Sequence, residues 1–331
     1  MAALRIGLIG AGRIGQIHGR TVAGHPRARL VAVADAVPDA ARALAASTGA
    51  EVREAGAILS APDVDAVLIG SPTDTHAELI ERAARAGKAI FCEKPVSLDS
   101  ARTAACLAVV AEAGVPLMIG FNRRFDPSFS DLRARIQAGE VGRVELVTIL
   151  SRDPSPPPIE YIGRSGGLFR DMMIHDFDMA RFLLLEEPIE VHAVGSSLLD
   201  PAIGRAGDVD TAAVLLKTAS GAIAQISNSR RATYGYDQRV EVHGSLGLLQ
   251  AGNRHRTTVA FADARGYATD PALPFFLERY AEAYRVEIDA FVAGVLDGAP
   301  LAPSGADGLA AQRLADAATE AVRTGRPVRL T

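Results

Sequence analysis

Tryptophan is absent from this chain, and only two cysteines, Cys92 and Cys106, occur among its 331 residues. Two thiols cannot build a disulfide framework or a four-ligand zinc site, so no metal is expected. No apolar run approaches the roughly 18 residues that a membrane-spanning helix needs. Basic residues show no excess either. The net charge is −4, and the only basic clusters that stand out are the pairs Arg123-Arg124 and Arg230-Arg231. A nucleic-acid binder normally carries a clear basic excess, so that class is set aside. The first residues run almost at once into a strand pattern, without the charged, apolar and cleavage regions of an export signal. A cytoplasmic protein with no nucleic-acid and no membrane partner is expected.

What the chain has is apolar content, 48%, with an ordinary 22% of charged residues. Its length suggests two domains, and the composition can fill two cores. Leu4-Arg5-Ile6-Gly7-Leu8-Ile9 is a short apolar strand pattern leading into Gly10-Ala11-Gly12-Arg13-Ile14-Gly15 and then a helix over about 13–23. This is G-x-G-x-x-G between strand and helix. Gly10 permits the tight turn, Gly12 lets a pyrophosphate approach the backbone, and Gly15 lets the helix pack closely. The helix N-terminus at Arg13 and Ile14 offers N–H groups to phosphate. A second strand pattern, Arg29–Ala34, ends in Asp35, twenty residues after Gly15. An acid there accepts from the adenosine ribose hydroxyls and repels a 2′-phosphate, which reads as NAD rather than NADP.

Helical and strand patterns then alternate: helices near 39–46, 55–59, 76–86 and 100–113, strands at 66–69, 89–92 and 117–120. This rhythm predicts an α/β Rossmann domain over 1–121, a doubly wound parallel sheet with its ligand at the carboxyl ends of the strands. Ser71, Thr73 and His76 follow one such end, Glu93 and Lys94 another, and all five are candidate cofactor contacts. His76 and Asp74 read first as caps of the next helix. Lys94 can stabilise developing negative charge on a substrate oxygen, or form a structural salt bridge with Glu93.

Residues 122–331 read as an α+β domain with a large open, mostly antiparallel sheet. Strand patterns fall at 144–150, 189–195, 211–216, 222–227, 239–242, 247–249 and 257–261, and two helices close the chain at about 277–296 and 305–324. Too few helices are present to cover both sheet faces, which predicts a homo-oligomer. Asp153–Pro158 is a stiff loop, a linker or a pocket wall. Tyr234 and Tyr236 read as sheet-packing tyrosines or as hydroxyls for a polar ligand.

The run Gly166–Arg181 carries the densest chemistry. If helical after its glycine pair, it places Asp171, His175 and Asp178 at i, i+4 and i+7 on one face, among Met172, Met173, Ile174 and Phe177. A histidine between carboxylates in apolar surroundings suits proton transfer, since imidazole titrates at roughly pH 6.5. It also suits a buried helix whose polar face meets solvent or another chain.

Gly10–Gly15, Glu93-Lys94-Pro95 and Asp171-x-x-x-His175 together resemble the Gfo/Idh/MocA family of nicotinamide-dependent oxidoreductases, over essentially the whole chain. Gly120–Asp126, Ser151–Pro154, Gly166–Arg181 and Ser229–Ser245 look like its bacterial inositol-oxidising branch. The resemblance implies an NAD-dependent dehydrogenase that oxidises a secondary hydroxyl of a cyclic polyol, myo- or scyllo-inositol, to the ketone. It implies Lys94, Asp171 and His175 as the catalytic group. Arg123 and Asp178 would contact substrate hydroxyls, with Asp153 and Tyr236 as further contacts, and Asn122 would lie at the substrate or nicotinamide. A tetramer packed through its sheets is implied as well. The competing readings are an aldose dehydrogenase, a glycosidase that uses bound NAD⁺, and a redox sensor without catalysis.

Overall fold

The computed structural model describes residues 3–330, so the outermost domain bounds expected above, 1 and 331, lie outside the described residues. Two compact units are present, one of residues 1–125 with 283–312, the other of 126–282 with 313–331. A single division after residue 121 would place 283–312 in the second unit. That segment instead packs into the first because Ile288, Phe291 and Val292 complete its core, with the Phe291 ring edge-on to Phe91 at 5.7 Å.

The first unit carries strands β1 (Leu4–Ile9), β2 (Ala28–Ala34), β3 (Glu51–Val52), β4 (Ala66–Ile69), β5 (Ala89–Glu93) and β6 (Leu117–Gly120). They form one parallel sheet in the order β3-β2-β1-β4-β5-β6. Strands such as Ala66-Val67-Leu68-Ile69 are wholly buried, as expected for a sheet covered by helices on both faces. The connecting helices are α1 (Arg13–Ala23), α2 (Pro38–Thr48), α3 (Ala55–Ser60), α4 (Thr73–Arg85) and α5 (Ser100–Ala113). Asp99 starts α5 by accepting from the Arg102 N–H at 2.9 Å. Helix α4 begins three residues earlier than its pattern suggested. Asp74 and His76 therefore lie inside it, and Pro72 stands at its N-cap without a side-chain cap.

In the second unit, α6 (Pro127–Gln137) precedes β7 (Val144–Arg152), then α7 (Ile159–Ser165), α8 (Gly167–Asp171) and α9 (Ile174–Leu184). After β8 (Pro188–Ser196) and α10 (Pro201–Arg205) come β9 (Thr211–Thr218), β10 (Ile223–Ser229), β11 (Asp237–Gly244) and β12 (Gly247–Ala251). A separate hairpin of β13 (Ala260–Asp263) and β14 (Gly266–Thr269) follows, and β15 (Val328–Arg329) ends the unit. The seven-stranded sheet runs β12-β11-β7-β10-β9-β8-β15. Its pairs are antiparallel except β7 with β10, which are parallel. Helix α9 packs against β7 and β10, and α6 against β12. The opposite face is open. Alternation along β9 and β10 buries one side and leaves Leu215 and Ile223 exposed on the other, beside Val194 on β8. Among the described residues, no helix is long and apolar enough to cross a membrane.

Candidate active site

Gly10, Asp35, Ser71, Lys94 and Asn122 follow β1, β2, β4, β5 and β6, so the parallel sheet brings them to one carboxyl edge. At Gly10, φ is +103°, and a Cβ would stand 2.4 Å from the backbone of Gly70 and Ser71. At Gly15, a Cβ would meet the Gly10 carbonyl oxygen at 1.9 Å, so only glycine lets α1 leave the turn this closely. A Cβ at Gly12 would meet nothing within 4 Å, which leaves open space over the turn. No side chain caps α1, and its first turn holds no acid. This end of the sheet suits a pyrophosphate, held by backbone N–H groups and the helix dipole.

Asp35 ties that turn to the second strand. Its Oδ2 accepts from the Ala11 N–H at 2.6 Å and its Oδ1 from the Val37 N–H at 2.7 Å. The carboxylate is held at the sheet edge with lone pairs left for hydroxyl donors. The buried Asn122 Nδ2 finds no hydrogen-bond partner among the described residues, a donor set at the end of β6 for an absent acceptor. The residues present therefore fit NAD.

His76 is a latch rather than a helix cap. It is buried, with Nδ1 2.7 Å from the Pro95 oxygen and Nε2 2.8 Å from the Ser71 oxygen. Two carbonyls would favour the protonated ring, but burial outweighs them and moves its pKa down. The ring joins the loop after β4 to the Lys94-Pro95 turn, whose peptide bond is cis. Ser71 Oγ, in that loop, lies 2.6 Å from Thr75 Oγ1 in the first turn of α4, just beyond Thr73. Glu93 is engaged by His18, whose Nε2 lies 2.6 Å from its Oε1. Asn122 and Arg123 are both buried in a single turn of 3₁₀ helix, Asn122–Phe125, where the polar break was read.

In the second unit, the continuous helix expected through Asp171 and His175 is broken. Asp171 ends α8 and His175 stands in the first turn of α9, with Met172 and Met173 between. The Met172 and Met173 N–H groups both donate to the Leu168 carbonyl, at 3.0 and 2.9 Å, so the helix closes on itself before α9 begins. Asp171 is thus not placed one regular turn before His175, and tertiary contacts position it. It accepts from Tyr161 Oη at 2.9 Å and from Nη1 of the buried Arg230 at 3.3 Å. Arg230 also faces Asp208 at 3.6 Å, and Asp208 accepts from the Leu168 N–H at the start of α8.

Asp176, given no role from the sequence, anchors the start of α9. It is fully buried, accepting from Ser151 Oγ at 2.6 Å and Asn228 Nδ2 at 2.9 Å, on β7 and β10. This bolts the turn that bears His175 to the sheet and leaves His175 partly exposed. Asp178 is buried on the same helix, 3.6 Å from Arg181. Asp153 continues the strand pairing, its N–H donating to the Ser229 carbonyl at 3.0 Å. The ring of Tyr236 is buried edge-on against Phe275 and Tyr280 at 5.9 and 6.1 Å, the packing alternative raised for it. Tyr234 is exposed and donates to Asp237 at 2.7 Å. Tyr161, Asp176, Asp208 and Arg230 had no local sequence signal, since each acts on a residue distant in the chain.

Residues 4–121 match the family described as oxidoreductase family, NAD-binding Rossmann fold, and residues 129–250 match the GFO/IDH/MocA C-terminal domain. The chain belongs to the Gfo/Idh/MocA family of oxidoreductases. It is 59% identical to inositol 2-dehydrogenase of Rhizobium meliloti (strain 1021) over 98% of both chains. A myo-inositol dehydrogenase from Corynebacterium glutamicum shares its structure with a TM-score of 0.96, at 44% identity over 99% of both chains. A scyllo-inositol dehydrogenase from Lactobacillus casei, with NAD(H) and scyllo-inositol bound, superposes with a TM-score of 0.92 at 31% identity, covering 99% of both chains. The protein is an NAD-dependent oxidoreductase.

Proposed function

We propose that the protein oxidises a secondary hydroxyl of a cyclic polyol, myo- or scyllo-inositol, to the ketone. The observation that carries this reading is the near-complete match, at 59% identity, to an inositol 2-dehydrogenase. The polar anchoring of His175 supports it. NAD⁺, when bound, accepts the hydride. In this reading His175 is the general base that removes the hydroxyl proton, held in place by its neighbour Asp176. Asp171 orients His175 and offsets the positive charge the ring gains, while Arg230 and Tyr161 fix the Asp171 carboxylate. Lys94 donates to the reacting oxygen and stabilises its alkoxide character. Arg123 and Asp178 bind further hydroxyls, with Asp153 and the Tyr236 hydroxyl as additional contacts. Gly10, Gly12, Arg13, Ile14, Gly15, Asp35, Ser71, Thr73, His76, Glu93, Lys94 and Asn122 form or support the NAD site.

The assembly in this reading is a cytoplasmic homotetramer packed through the open sheet faces. Its support is the exposed apolar set Val194, Leu215, Ile223 and Leu248 on the second unit's sheet.

The test is NADH formation from NAD⁺ with purified protein and a panel of myo-inositol, scyllo-inositol, D-glucose and L-glucose. Preferential turnover of an inositol is expected. Turnover mainly of an aldose would reassign the substrate, and silence across the panel with NAD⁺ still bound would overturn the dehydrogenase reading.

A further inference from the structure

A polar cluster lies inside the first unit. His18 on α1, Glu93 at the end of β5 and Glu287 on the Ala281–Asp297 helix bring their nitrogen and oxygen atoms within 4.8 Å of one another. His18 and Glu287 are fully buried, and the Glu93 side chain is 12% exposed. The His18 ring is walled by Phe91 and Tyr284, edge-on at 5.1 and 5.6 Å. Glu93 lies over Gly120, where a Cβ would come 3.0 Å from its carboxyl carbon. The other titratable groups beside the cluster are Cys92 and Lys94, the chain neighbours of Glu93, and Tyr284. Neither oxygen of Glu287 has a hydrogen-bond partner among the described residues, and neither has His18 Nδ1.

Two carboxylates and an imidazole can hold either a metal ion or a proton, and the spacing discriminates. Ligand atoms on a tetrahedral zinc ion, each about 2.0–2.1 Å from it, stand roughly 3.3 Å apart. His18 Nε2 and Glu93 Oε1 are 2.6 Å apart, a distance that fits a shared hydrogen and no cation. Two ionised carboxylates within 4.8 Å of each other in a dry niche repel, so one keeps its proton. Glu93 already has the His18 ring against it, Nε2 to Oε1. Glu287, deeper and without a cation, is the neutral one.

We propose that Glu287 is a neutral carboxylic acid set against the Glu93 carboxylate, within 4.8 Å of it, and that it is a positioning residue for the strand end that carries Lys94. Burial first, then the charge on Glu93, push the Glu287 carboxyl well above the usual carboxylate range, in the same direction. With His18 on one side and Glu287 on the other, the Glu93 carboxylate is held in the core, and Lys94 follows it at the sheet edge. The positioning half rests on the role proposed above for Lys94.

The infrared difference spectrum between the wild type and Glu287→Gln at neutral pH reads the proton directly. A protonated-carboxyl carbonyl band present in the wild type and lost in the variant is expected; its absence from the wild type overturns the proposal. If the variant does not fold, wild-type protein with isotopically labelled glutamate must keep that band above the ordinary glutamate pKa. Stoichiometric zinc binding by the wild type that Glu287→Gln abolishes would also overturn it, making the cluster a metal centre. For positioning, Glu287→Leu, which removes the polar group, should lose at least tenfold in kcat with little change in KM for NAD⁺. Glu287→Gln, which keeps a neutral polar group, should recover most of that loss. Equal turnover in the two variants refutes positioning. Failure of the Lys94 reading is seen separately, as Lys94→Ala keeping wild-type turnover while the infrared band is unchanged.

Discussion

Replacing Asp35 by Asn tests the cofactor site at the point where the sheet edge and the glycine turn meet. The carboxylate receives two backbone N–H groups, from Ala11 at 2.6 Å and Val37 at 2.7 Å, one on each oxygen. Asparagine keeps one acceptor and turns the other into an N–H₂ group that confronts one of those donors. The variant therefore loses one backbone contact, the negative charge, and one acceptor for the adenosine ribose. A hydrogen bond to a charged group contributes about 1.5–3 kcal/mol, which corresponds to roughly a 10- to 150-fold change in affinity. We expect the Kd for NAD⁺, followed by fluorescence titration, to rise by about 10- to 100-fold. At saturating NAD⁺, kcat should stay within about threefold of the wild type, because the lost contacts are to the adenosine end and bind ground and transition states alike. Discrimination against NADP⁺ should shrink, since the charge that repels a 2′-phosphate is gone. NAD⁺ affinity within twofold of the wild type would refute the reasoning. So would a loss that falls mainly on kcat.

His175→Ala should lower kcat by about 10²–10⁴-fold while NAD⁺ binding, measured by the same titration, stays unchanged; equal loss of both would remove the general-base role. Asp307, in the first turn of the last long helix, is worth testing against pH. Burial raises its pKa, but the Arg124 charge and the hydrogen bonds from Ser304 outweigh this and bring it from 3.8 down to about 2. A depressed folded pKa contributes stability above the unfolded value that is lost as pH falls from about 4 through about 2. Asp307→Asn should therefore cost about 2 kcal/mol at pH 7 in urea unfolding, with the difference shrinking below pH 4. A difference that is constant with pH would contradict the ion pair. The Cys106 thiol, pushed up to about 11 by burial, should resist alkylation at pH 8 until the protein is unfolded. Val194→Glu with Leu215→Glu, on the open sheet face, should yield a smaller particle by light scattering with the far-ultraviolet spectrum unchanged.

Much of the architecture was legible because it is written in short-range pattern. The apolar runs of the first unit, their helical spacers and the turn at Gly10 are each set by a few consecutive residues, and helix 100–113 and strand 117–120 fall where their patterns place them. Boundaries slipped where local chemistry was ambiguous. Thr73 starts α4 behind a proline without a side-chain cap, and α7 and α10 are too short to show a period. The break between Asp171 and His175 was hidden because Met172 and Met173 are good helix formers, and only the closing turn on Leu168 interrupts them.

The sequence by itself determined the two fold classes, the dinucleotide turn with Asp35 twenty residues on, and the residue types able to move a proton. These follow from periodicity and from the steric demands of glycine, which act over a few residues. Only the tertiary structure decided what holds those residues in place. Asp176 meets Asn228 across 52 positions, Asp171 meets Arg230 across 59, and His18 meets Glu93 across 75. No spacing rule encodes such pairs, because sheet order brings their partners together. Burial then sets how strongly each charge or proton is felt, and burial exists only once the chain has folded.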